Sequence, residues 1–124
     1  MKDLKVARIV NCTHNIPNYH EGLFKYYNFP VGKWRQHQSD SDSGKLKDFI
    51  NAYLDFIKEG VEAGENILVH CLAGAHRAGT AAVIALMSIL GLDKSQALKA
   101  AQTARPVIEP IGSLAELLEL VDNF

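Results

Sequence analysis

The residues able to do chemistry cluster between His70 and Thr80. Cysteine stands at 71, glycine at 74, and an arginine follows six places after the cysteine, at Arg77. An ordinary thiol is mostly protonated at neutral pH, but a helix N-terminus and a nearby guanidinium can lower its pKa to roughly 3.5–7.5, leaving the nucleophilic thiolate. Arg77 offers a planar fork of donors that can grip two phosphoryl oxygens at once and follow them as charge shifts during reaction. Gly74 permits a positive φ and leaves room where a Cβ would meet a ligand oxygen. Together these types and spacings suit a phosphate held above a thiolate.

Such a device needs a strand entering and a helix leaving. Ile67-Leu68-Val69-His70 is a short aliphatic run opened by Gly64-Glu65-Asn66, which predicts a strand. From Arg77 to about Leu90 the chain is alanine-rich and nearly all apolar, which predicts a helix, with Gly91 suited to its left-handed C′ position. The tight turn between them can aim the backbone N–H groups of Leu72, Ala73, Gly74, Ala75, His76 and Arg77 at one anion, with the helix's positive end behind them. A cysteine alone would as readily be apolar filler. The glycine, the arginine and the flanking elements make the chemical reading the stronger one.

The run His70-Cys71-x-x-Gly74-x-x-Arg77 resembles the signature of the cysteine-based protein tyrosine phosphatases, most closely the small dual-specificity type. Val6-Ala7-Arg8-Ile9-Val10-Asn11 is similar to that family's strand ending in Asn, and Ile16-Pro17-Asn18 to its following turn. Arg105-Pro106-Val107-Ile108-Glu109-Pro110, ahead of a leucine-rich helix, is similar to the segment after the family's penultimate helix. The resemblance implies a phosphoprotein phosphatase acting on phosphotyrosine and on phosphoserine or phosphothreonine, through a cysteinyl-phosphate intermediate, with neither metal nor cofactor.

It also implies an aspartic general acid on a loop ahead of the long helix. Asp40 stands 31 residues before Cys71 and sixteen before Phe56, and is the preferred acid; Asp42 is the alternative. A charged Asp42 would help keep Asp40 protonated. Read without the resemblance, Ser39 to Gly44 is a solvated turn in which Asp42 or Ser43 caps the next helix. In the family the residue after the arginine is Ser or Thr, whose hydroxyl helps the cysteine leave in the second step. Here it is Ala78. Thr80, two residues on, is expected to bond back to a helix carbonyl. His70 is expected to order the loop through the backbone, and His76 to project outward toward substrate or solvent.

Cys12 closes the first predicted strand. It reads as a buried strand-end thiol or, less favoured, as a reversible disulfide partner of Cys71. Strands are predicted at 6–11, 25–29 and 67–70, the last taken as central, and helices at 44–63, 77–90, 94–104 and 114–121. Leu46, Phe49, Ile50, Tyr53, Leu54, Ile57 and Val61 form one apolar face of the first helix. Asp93 with Gln96, and Ser113 with Glu116, predict capping boxes. The fold class expected is α/β, a small mainly parallel central sheet flanked by helices, as one catalytic domain over residues 1–124. Phosphatases of this type usually carry a further strand and helix ahead of the one that 6–11 resembles. The chain is therefore either a trimmed form or covers its sheet edge another way, and an uncovered edge invites a homodimer.

A net charge of −1 gives no reason to expect nucleic acid or an anionic membrane as partner, and the longest apolar stretch is too short to span a bilayer. Two cysteines make no disulfide framework and suit a reducing cytoplasm or nucleus; the N-terminus does not read as a secretion signal. The loop positions Leu72, Ala73, Ala75 and His76 lack Lys and Arg, which favours a phosphorylated protein over a phosphoinositide. Trp34-Arg35 could contact that substrate, or Trp34 could anchor its loop in the core. The alternative function is a catalytically weak phosphoprotein-binding module; a rhodanese-type sulfurtransferase fits the spacing less well.

Overall fold

Three short runs rich in β-branched, aliphatic and aromatic residues pair in parallel, and four helices pack around them. The structure, a computed structural model, describes residues 6–13, 16–18, 22–37, 44–71, 76–106, 108–110 and 112–124. Strand β1 (Val6–Asn11) lies between β2 (Lys25–Asn28) and β3 (Asn66–His70), with both ladders parallel. The parallel α/β class expected from the sequence is therefore found. The registers end with Asn11 opposite both Asn28 and His70. All three C-terminal ends thus share one rim, the edge at which open parallel sheets bind their ligands.

One expectation is overturned: the central strand is β1, and β3 pairs with β1 alone among the described residues. Arg8 is a charge in what proves the most buried of the three strands. Arg8 is 2% exposed, and its guanidinium donates to Glu65 Oε1 at 2.6 Å, Glu59 Oε1 at 2.8 Å and the Phe56 carbonyl at 3.2 Å while lying over the Phe56 ring. Paired on every side, the charge is tolerated where an isolated one would not be. Arg8 in turn holds the Glu59 carboxyl below the usual range, chiefly through their hydrogen bond.

Helix α1 (Gly44–Glu62) buries Leu46, Ile50, Tyr53, Leu54 and Ile57 as its spacing predicts, whereas Val61, in the last turn, is left half exposed. Tyr53 stacks flat on Phe29, ring centroids 4.1 Å apart, and its hydroxyl donates to the Ala81 carbonyl at 2.7 Å. That bond joins α1 to α2 (Arg77–Leu90), whose C-cap Gly91 is left-handed at φ 65° as expected. Helix α3 (Lys94–Ala104) begins with the predicted Asp93–Gln96 capping box. Helix α4 (Ser113–Asp122) does not have the second one: its N-cap is Gly112 at φ 56°, and no side chain caps it. Glu116 pairs instead with Arg35, on a 3-10 helix over Val31–His37 that the sequence does not predict.

Gly60 is where α1 crosses Arg8. A Cβ there would lie 2.7 Å from Arg8 Cδ and 2.9 Å from Ile67 Cδ1. Gly60→Ala should cost about 1–3 kcal/mol in urea-unfolding free energy, because the arginine is pinned by three acceptors and cannot withdraw. A midpoint equal to the parent's would show that Arg8 has slack.

Candidate active site at the strand C-termini

Cys71 follows β3 directly and is half-buried, and Arg77 is the first residue of α2. The chain thus arrives on a strand and leaves on a helix on either side of the expected phosphate loop. Leu72, Ala73, Gly74 and Ala75, together with the candidate acids Asp40 and Asp42, lie outside the described residues. The N-cap of α2 is His76, which makes no side-chain capping bond, and no acidic residue stands in the first turn. The positive end of α2 therefore favours an anion.

The side chains around this end settle two expectations. The Thr80 hydroxyl donates to the His76 carbonyl at 2.6 Å, as predicted, so it is committed within the helix. His76 differs: its Nδ1 lies 2.6 Å from the Glu109 carbonyl oxygen, which ties the loop's exit to the 108–110 segment. Gly79 closes the same contact, for a Cβ there would be 2.9 Å from Ile108 Cγ2. His70 ends β3 half-buried, and its carbonyl accepts the Cys12 N–H at 2.8 Å. That bond carries the ladder one residue beyond its last pair, setting Cys12 beside Cys71.

Cys12 is 1% exposed, and its thiol is pushed up to about 12, by burial first and then by the charge of Cys71, against a smaller downward pull from Arg77. Cys12, Cys71 and Arg77 are thus close enough to act on one another electrostatically. Next to them, Asn11 fixes the turn that follows β1. Its amide donates to the Ile16 carbonyl at 2.7 Å and Asn18 Oδ1 at 2.9 Å, while its oxygen accepts from both the N–H and the hydroxyl of Thr13. This is why a strand ending in Asn precedes Ile16-Pro17-Asn18.

The 3-10 helix forms the opposite wall. Gly32 packs on the stem of Arg77, since a Cβ at residue 32 would be 3.2 Å from Arg77 Cδ. Trp34 is buried and donates from Nε1 to the Ser113 carbonyl at 3.0 Å, so it anchors this wall in the core and is not a substrate contact. His37 stacks on Phe49, centroids 3.9 Å apart, immediately before the segment that carries Asp40 and Asp42. No sequence pattern marks Gly32, because its importance lies in a contact 45 residues away along the chain. Among the described residues there is no group of three or more His, Cys, Asp or Glu side chains that could hold a metal ion.

Alkylation separates the two thiols. Iodoacetamide at neutral pH should label Cys71 in the folded protein and leave Cys12 untouched, with both labelled in guanidinium, as read by peptide mass mapping. Equal labelling of the two in the folded state would contradict the burial of Cys12.

Residues 1–123 match the family model described as "Dual specificity phosphatase, catalytic domain". The chain is 33% identical over 112 residues to human Dual specificity protein phosphatase 6, covering 89% of this chain and 28% of that protein. It is 29% identical over 107 residues to Dual specificity protein phosphatase 1-A of Xenopus laevis, covering 86% of this chain and 27% of that one. It thus spans about a quarter of the length of these curated relatives. The crystal structure of human DUSP28 superposes with a TM-score of 0.76 at 21% identity, over 98% of this chain and 78% of that one. The human tyrosine phosphatase-like serine/threonine/tyrosine-interacting protein gives 0.71 at 20% identity, over 95% and 77%. Signature, parallel rim and family model agree: the chain belongs to the dual-specificity phosphatase catalytic-domain family.

Proposed function

We propose that this chain hydrolyses phosphotyrosine and phosphoserine or phosphothreonine in phosphorylated proteins by way of a cysteinyl-phosphate. The observation that carries the reading is the placement of Cys71 at a strand end and Arg77 at the start of an uncapped helix, on either side of a single short loop. In the first step the Cys71 thiolate attacks phosphorus in line. The phosphorus–oxygen bond to the leaving group breaks as Asp40 gives that oxygen its proton. Arg77 and the helix end stabilise charge on the equatorial oxygens. In the second step the Asp40 carboxylate takes a proton from water, which attacks the phosphocysteine, releases inorganic phosphate and restores the thiolate. Neither metal nor cofactor enters, and a reducing cytoplasm or nucleus suits the thiolate.

A second reading has its own support. Ala78 has no hydroxyl, and the Thr80 hydroxyl is held by His76. No hydroxyl at residue 78 or 80 is then left to donate to the departing sulfur. A lost hydrogen bond to a charged group is worth roughly 1.5–3 kcal/mol, so the intermediate should break down about tenfold to a hundredfold more slowly than with the hydroxyl present. Taken to its limit, this makes the chain a phosphoprotein-binding module with little turnover.

Hydrolysis of para-nitrophenyl phosphate, blocked by vanadate and abolished in Cys71→Ser, is the expected result; full activity in Cys71→Ser would sink the scheme. Asp40→Ala should fall about a hundredfold, within the range of general acid catalysis, and Asp42→Ala far less, with the reverse order naming Asp42 as the acid. Ala78→Ser should shorten the slow phase that follows a burst of phenol release, and raise steady-state turnover by about tenfold. Phosphopeptide binding with no hydrolysis in any of these proteins would select the binding module.

A further inference from the structure

The C-terminal rim carries a second feature that a bare phosphate ester would not use. A groove of about 450 Å³ runs over the ends of β1 and β2, lined among others by Thr13, Asn18, Asn28, Pro30, Lys33 and Gln36. Its floor is preorganised. Asn11 holds Thr13, Ile16 and Asn18 in one hydrogen-bonded set, and Asn18 Nδ2 donates to Asn28 Oδ1 at 3.0 Å across to β2. Among the described residues Lys33 is the groove's only charged lining residue, and it takes part in none of their ion pairs. It is exposed, at the point where the 3-10 helix departs from helical geometry, with φ −107° and ψ 25°.

The groove is tied to the phosphate grip. Gly32, the residue before Lys33, packs against the stem of Arg77. In the sheet order β2-β1-β3 the groove sits over the two strands next to the one that delivers Cys71. Adjacent strands are about 4.8 Å apart, so it lies roughly 5–10 Å to the side of the thiol. An extended peptide advances about 3.3 Å per residue, so that offset corresponds to roughly one to three residues from the phosphorylated one.

We infer that this groove is a subsite for the peptide flanking the phosphorylated residue, and that Lys33 selects an acidic side chain there. The inference rests on the proposed phosphatase reading and names the substrate class for it. A peptide backbone meets fixed amide and hydroxyl groups on the floor, and a carboxylate meets the Lys33 cation on the wall. Among the described residues, no acidic residue lines the groove to oppose it.

The test is the ratio of kcat/KM for phosphotyrosine peptides differing only in Glu or Lys within three residues of the phosphate, in the parent and in Lys33→Glu. An exposed ion pair of this kind should give the parent about a threefold to fivefold preference for the Glu peptide. The preference should collapse in high salt and reverse in Lys33→Glu. A ratio near one in the parent, or the same ratio in Lys33→Glu as in the parent, overturns the inference. Should the parent fail to turn over para-nitrophenyl phosphate, the phosphatase reading falls instead, and binding of the same peptides to Cys71→Ser, with and without Lys33→Glu, still decides the role of Lys33.

Discussion

The rim depends on one hydrogen bond, from the Cys12 N–H to the His70 carbonyl at 2.8 Å. It is the last rung between β1 and β3. Side chains alternate along a strand, so a slip of one residue in this ladder would turn Cys71 and its neighbours to the opposite face. The register is defended from β1. Arg8 is bound to three acceptors on and after α1, and Cys12, Val10 and Ile9 are packed in the core. Moving β1 by one position would strand a guanidinium without partners, at a cost of several kcal/mol. The placement of Cys71 therefore begins with a buried charge on the central strand.

Local signals made much of this legible. The bounds of β1, α2 and α3, the capping box at Asp93 and the left-handed Gly91 all follow from periodicity and turn chemistry that act within a few residues. What could not be read depends on partners distant in sequence. Arg8 looks like an edge or solvent residue until Glu59 and Glu65 are brought to it. Ser113 and Glu116 have the spacing of a capping box, but Gly112 turns the chain into α4 while Arg35 captures the Glu116 carboxylate. His76 looks like an outward-facing loop residue until the 108–110 segment presents a carbonyl to it. The signature named the family, since Cys71 and Arg77 are close in sequence. The wall facing Arg77 was invisible.

That wall changes how the rim should be pictured. The 3-10 helix is held by Trp34 on α4, by His37 on Phe49 of α1, and by the contact of Gly32 with Arg77. It joins the first and last helices to Arg77, the arginine of the signature. Its C-terminal end leads into the segment bearing Asp40 and Asp42. An acid must be placed to within a fraction of an ångström relative to the leaving oxygen to be effective. On the proposed scheme, a brace that touches Arg77 and leads into the segment bearing Asp40 and Asp42 is a direct way to hold arginine and acid in a common frame.

Helix α2 shows what such a frame costs. Apart from Arg77 it contains no charged residue, and Ala78, Gly79, Thr80 and Ala81 are all buried in its first turn and a half. Burial fixes the helix end firmly and leaves no acidic side chain to cancel its positive potential, which favours capture of a phosphate. The same burial leaves no free hydroxyl at residue 78 or 80. Thr80 satisfies itself on His76, as a buried hydroxyl must when no water reaches it. Ala78 completes the core contact without any polar group. On the proposed two-step scheme, packing this shoulder tightly favours the first half of the reaction and slows the second, so the balance between catalyst and phosphoprotein trap would be set by the apolar character of a single helical turn.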